Sequence, residues 1–234
     1  MTDVGSATAG VKGWLAAAWR FVGSAPLTFG WLTALLFTTI YLDALTKPER
    51  HEVLVHRSTD LYHLATDPLY VLFASLWWLD GKYWTPYLVL FAVFLAPAER
   101  WLGKIRWLTV GLTAHVVATY ISEGVLHLRI EHHLAPERLV QARDIGVSYF
   151  LVGVMAVLAY RIARPWRWIY LAVLVSTFSI ALMANPGFTA IGHLSAILVG
   201  LCFYPMARRR GGPPWSPARA WGRMRRSVVR GRAA

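Results

Sequence analysis

The chain has a single cysteine. Cys202 lies in an apolar run, so an internal disulfide and a cysteine-based metal site are both excluded. Charge is also scarce: 15% of the 234 residues are charged, against 56% that are hydrophobic. That leaves too little polar surface to cover the apolar material of a soluble domain. Acidic residues are the scarcest, 12 against 24 Lys and Arg. In a soluble protein the net charge of +12 would point to nucleic acid. Here the basic residues are placed as topology signals, and no nucleic-acid partner is expected. There is no internal repeat. No small-residue cleavage site follows the first long apolar run, which argues against a signal peptide.

What is present is apolar length. Six runs stand out, at 26–45, 84–98, 104–126, 145–161, 166–184 and 188–206, and a spanning helix needs about 17–25 such residues. Twelve Trp and ten Tyr suit rings placed at membrane interfaces. A seventh run, 68–79, lies between Asp67 and Asp80 and is too short to span. It is expected to be a first-loop segment embedded in the membrane or lying at its interface. Residues 1–25 hold an amphipathic stretch (Trp14, Leu15, Ala18, Phe21, Val22) that suits an interfacial helix. Residues 207–234 form an Arg, Pro and Gly rich tail, read as a solvated, partly disordered anchor touching anionic lipid.

The expected fold is therefore all-α, a polytopic six-helix transmembrane bundle over 26–206. With six spans, seventeen of the 24 Lys and Arg fall on the inner side, nine of them Arg in 208–232. Ten of the 12 acidic residues fall outside. Both termini are then cytoplasmic by the positive-inside rule, and the plasma membrane is the expected location. Counting 68–79 as a span would put either Lys12 and Arg20 or the Arg tail outside.

Two polar features interrupt the apolar spans. Asp144-Ile-Gly-Val-Ser-Tyr149 opens the fourth span from the outside, and Gly192-His193 lies five residues into the sixth. At about 1.5 Å per residue, Ser148 and His193 reach similar depths below the outer surface. Serine needs an adjacent base to act as a nucleophile, and His is the usual one. A helix amino terminus beside Ser148 favours developing negative charge. Taken singly, Gly-x-Ser in a span is often close packing and a buried His is often structural. An ionisable residue inside the membrane nevertheless points first to function.

Over roughly 66–206 the sequence resembles the rhomboid superfamily of intramembrane serine proteases. Glu99-Arg-Trp-Leu-Gly103 looks like the E-x-x-x-G that follows the family's second core helix. Gly146-Val-Ser148 looks like the start of its G-x-S-G motif, and His193 with Gly200 like its last-helix H-x-x-G-x-x-x-G. The resemblance implies a rhomboid-like fold, Ser148 as nucleophile and His193 as general base. It also implies Gly146 and Gly200 as close-approach points between the serine and histidine helices. Tyr149 replaces the second Gly of the serine motif and Ala196 the Gly three after the His. Tyr83 and Tyr87 fall about where the family carries oxyanion-binding His and Asn, and Val152 falls where an aromatic often stacks on the His. Gly146, Tyr149, Tyr83 and Tyr87 are the candidate oxyanion and support residues, with Gly200 and Ala196 as packing residues.

Two functions follow from the resemblance. One is an intramembrane serine protease cleaving transmembrane substrates. The other is an inactive relative that binds transmembrane segments of other proteins and controls their stability or trafficking. Lipids and such segments are the expected partners, and no cofactor is expected. A third class, a metal- or haem-binding membrane protein, rests on the outer histidines. Glu123, His127 and His132 have carboxylate and imidazole groups of the kind that bind zinc. Without a third ligand of fixed geometry they read better as a polar, pH-sensitive outer loop.

Overall fold

The computed structural model describes residues 4–81 and 84–222. Among them there is no strand, only an isolated bridge between Ile162 and Trp215, so the all-α reading holds. The amino-terminal stretch is α1 (Val4–Gly23), and the first apolar run is α2 (Pro26–Ala44). The segment that follows folds into α3 (Lys47–Val55), α4 (Leu61–Thr66) and α5 (Pro68–Ala74). Next come α6 (Trp84–Leu90), a π-helical turn at Phe91–Leu95, α7 (Ala96–Leu102) and α8 (Lys104–Glu131). The remaining helices are α9 (Val147–Leu158), α10 (Trp166–Ala184), α11 (Phe188–Cys202) and α12 (Tyr204–Arg208).

By length and composition, α2 and α10 suit crossing a membrane, while α9 and α11 are apolar but shorter. The surface supports that environment. Phe37, Ile40, Leu108, Leu112, Val173 and Ile180 are exposed apolar side chains on α2, α8 and α10, a belt suited to lipid. On α10 only Leu174 is buried.

The core is a trio of α8, α9 and α11, held close by small residues. A Cβ on Gly153 of α9 would strike the Ala114 side chain of α8, and one on Gly200 of α11 would overlap the Gly153 carbonyl. Such small-residue contacts let helix backbones meet where no hydrophobic effect drives association. The π-helical turn before α7 has a local cause. Pro97 has no N–H and its ring crowds the preceding turn, so the chain widens to a bond from the Ala96 N–H to the Phe91 carbonyl.

Glu99 ties the second helical stretch to the first. Its carboxylate accepts hydrogen bonds from the amides of Leu27 and Thr28 at 3.1 and 2.8 Å, and from Thr28 Oγ1 at 2.8 Å. These are orphan donors of the first turn of α2, so Glu99 caps it from a distance. Gly103 then ends α7 with φ +83°, a conformation glycine adopts without strain.

Residues 208–222 of the tail are mostly exposed, yet the tail makes specific contacts with the helices. The Trp215 amide donates to the Arg161 carbonyl at 2.7 Å, and the Ala163 amide donates to the Trp215 carbonyl at 2.8 Å. Arg210 Nε donates to the Leu102 carbonyl at 2.7 Å. Carbonyls left open at the end of α7 and after α9 find donors in the tail, which is why it docks. Residues 223–234 of the tail lie outside the described residues.

Candidate active site

α9 begins where the chain turns inward at Gly146. No side chain caps its start, and the first backbone bond runs from the Phe150 amide to the Gly146 carbonyl at 3.3 Å. The amides of Val147, Ser148 and Tyr149 are therefore open donors among the described residues. Ser148 sits in that first turn, half-buried. His193 lies in the second turn of α11, its ring between Tyr149 and Phe178 at centroid distances of 5.1 and 5.0 Å.

Ser148 and His193 line the same cavity of about 450 Å³. No direct hydrogen bond joins them among the described residues, a common state for catalytic pairs without substrate. The cavity opens between α6 with its π-helical turn and α10, and its walls include Phe94, Met155, Tyr170 and Phe178. Tyr170 gives its hydroxyl to the Met155 carbonyl at 2.8 Å, and Thr177 gives its own to the Val173 carbonyl at 2.8 Å. Among the described residues, the lining groups that keep an uncommitted polar atom are thus Ser148, His193 and Tyr87, the last on α6.

The other expected site residues are distributed differently. Tyr149 is fully buried, and its hydroxyl donates to Asp144 Oδ2 at 2.9 Å, away from the cavity. Tyr83 lies outside the described residues. Gly146 approaches α8 and not α11: a Cβ there would overlap the His115 ring. The α9–α11 approach expected of Gly146 is made by Gly153 against Gly200 instead, with Ala196 fully buried beside them. The correction has a simple cause. Gly146 precedes α9 and faces the middle of α8, where the buried His115 donates to or accepts from its neighbours. Its Nε2 lies 3.0 Å from the Leu72 carbonyl, so the 68–79 segment is pinned there too.

Four residues before the serine, Asp144 is held by the loop between α3 and α4. Its amide donates to Ser58 Oγ at 2.6 Å, and its carbonyl accepts from the Thr59 amide at 3.0 Å and Thr59 Oγ1 at 3.1 Å. Burial pushes the Asp144 carboxyl up to about 7, with the hydrogen bond from Tyr149 opposing the rise. Nearby Glu123 is buried, and neither of its carboxyl oxygens has a hydrogen-bond partner among the described residues. His127 pairs with Glu131 at 3.3 Å on the surface, and His132 is exposed. Among the described residues no three His, Cys, Asp or Glu side chains are placed to share a metal ion.

Reading the sequence left out Asp144 as a site residue, together with Phe178 and Tyr170. Asp144 carried a usable signal, as an acid at the mouth of a span. The two aromatics carried none, since they stand in a uniformly apolar helix.

Comparison with curated proteins and with solved structures returned no match. The family described as rhomboid-like protein matches residues 20–213. That stretch contains Glu99, the α9 turn with Ser148, and His193, and it covers most of the chain. The chain belongs to the rhomboid-like protein family.

Proposed function

We propose that this membrane protein is an intramembrane serine peptidase of six spans. Its termini lie on the cytoplasmic side of the plasma membrane, and it cleaves transmembrane segments of other proteins at a Ser148–His193 dyad. The observation that carries this reading is the single cavity on whose wall both residues stand. Its apolar walls suit a hydrophobic segment entering from the bilayer between α6 and α10.

The chemistry follows from the groups present. His193 takes the Ser148 proton as Oγ attacks the scissile carbonyl, forming a tetrahedral oxyanion. The open amides at the start of α9 favour that negative charge, with Tyr87 as a second donor across the cavity. Collapse breaks the C–N bond, and His193 returns the proton to the leaving amine. Water then cleaves the acyl ester, with His193 again the base.

The test is covalent labelling in detergent by a fluorophosphonate probe. Wild-type protein is expected to label, Ser148→Ala to lose the label, and His193→Ala to label at least about a hundred-fold more slowly. Label retained by Ser148→Ala would overturn the assignment.

A second reading, a non-catalytic binder of transmembrane segments, is favoured by a different observation. His193 is held between two rings without a hydrogen bond to Ser148. It predicts no labelling together with retained crosslinking of a hydrophobic helix to the cavity.

A further inference from the structure

The residue after the serine has acquired a place of its own. The Tyr149 ring meets the His193 ring edge to face, at 5.1 Å and 65°. Its hydroxyl reaches Asp144 Oδ2 at 2.9 Å, with Ser122 Oγ farther off at 3.4 Å. A hydroxyl has one proton to give, and the shorter contact makes Asp144 its acceptor. Ser122 Oγ meanwhile donates to the Thr119 carbonyl at 3.0 Å.

Space for the phenol is built into the facing helix. A Cβ on Gly192, the residue before His193, would come within 2.5 Å of the Tyr149 hydroxyl oxygen. Asp144 is itself fixed by Ser58 and Thr59 of the outer loop. A continuous set of contacts therefore runs from the outer loop through Asp144 and Tyr149 to the base.

We infer that Tyr149, tethered by Asp144, is the positioning residue that sets the orientation of the His193 imidazole toward Ser148. The inference rests on the peptidase reading for its catalytic meaning, though the geometry of the tether does not. Tyr149 touches no reacting atom; it acts through His193. Val152 has no ring to offer, and Tyr149 makes the ring contact with His193.

Two measurements on the full chain in detergent test this. The first is the rate of fluorophosphonate labelling of Ser148. Tyr149→Phe, which keeps the ring and removes the hydroxyl, is expected to slow it about ten-fold. Asp144→Ala is expected to slow it similarly, Asp144→Asn to preserve most of it because the amide oxygen still accepts, and the double variant Tyr149→Phe with Asp144→Ala to be no slower than either alone. The second is the ¹³Cε1 histidine NMR signal of His193, identified by its loss in His193→Gln. It is expected to shift or broaden in Tyr149→Phe and Asp144→Ala and to stay in place in Asp144→Asn. If wild-type protein takes no label, the peptidase reading falls and the NMR signal alone decides the tether. An unchanged His193 signal in Tyr149→Phe overturns the inference, whatever the labelling shows.

Discussion

Asp144 stands in the loop before α9, beside Tyr149 from α9 and Ser122 and Glu123 from α8, and the Asp60–His63 pair approaches Glu123 in turn. Burial raises its carboxyl from the ordinary 3.8 to about 7. The folded state therefore holds a proton that the unfolded chain releases near its ordinary value. Between those two values the folded state binds more protons, so stability falls as pH rises. The contribution is fully present at low pH and is lost as pH rises through the folded value. Thermal unfolding in detergent should show a midpoint that drops by several degrees from about pH 4.5 to about pH 7.5, at roughly 2–4 °C per kcal/mol for a chain of this size. Asp144→Asn should flatten that slope. An unchanged slope would mean that Asp144 does not govern the window.

At the scale of elements, the packing of α9 on α11 depends on two glycines that have no room for a side chain. Gly200 lies where an added Cβ would overlap the Gly153 carbonyl and come within 2.8 Å of the Ala156 Cβ. Backbone cannot yield as a flexible side chain does, so Gly200→Val is expected to cost about 1–3 kcal/mol of stability. It should also separate Ser148 from His193 and reduce probe labelling more than its effect on folding explains. Circular dichroism melting beside labelling rate would read both. Gly124, where a Cβ meets nothing, serves as a control, since Gly124→Ala should leave labelling unchanged. Much of this level was legible in the sequence. Runs of apolar residues announce helices because hydropathy and length act locally, and all six coincide with helical chain. The partner of each glycine was not legible. Gly146 read as a contact between α9 and α11, yet it meets His115, because which helix lies opposite is decided by the crossing geometry of three elements.

For the whole molecule, the arrangement of charge gives a sharp expectation. In a Cys202→Ser background, a single cysteine introduced at Arg209 should resist a membrane-impermeant thiol reagent applied to intact cells. One introduced at Ala135, in the loop between α8 and α9, should react. Reaction at both or at neither would overturn the six-span topology. At this scale too, reading the sequence went part of the way. Ser148 and His193 announce themselves as polar residues in apolar runs, and they do meet at one cavity. The role inferred for Tyr149 stayed hidden because it depends on α11 bringing His193 against the 144–149 segment. The docking of the tail stayed hidden for the same reason, since Trp215 finds Arg161 and Ala163 only once the helices between them are folded.

The cap on α2 also sets an order of events. Its donors are at Leu27 and Thr28, and its acceptor, Glu99, follows 72 and 71 residues later. A ribosome releases the first helix well before it makes the residue that finishes it. During synthesis α2 must wait with an open amino end, where water or lipid headgroups can serve those amides. The arrival of Glu99 then closes the first two helical stretches into one unit, before Ser148 and His193 have been made.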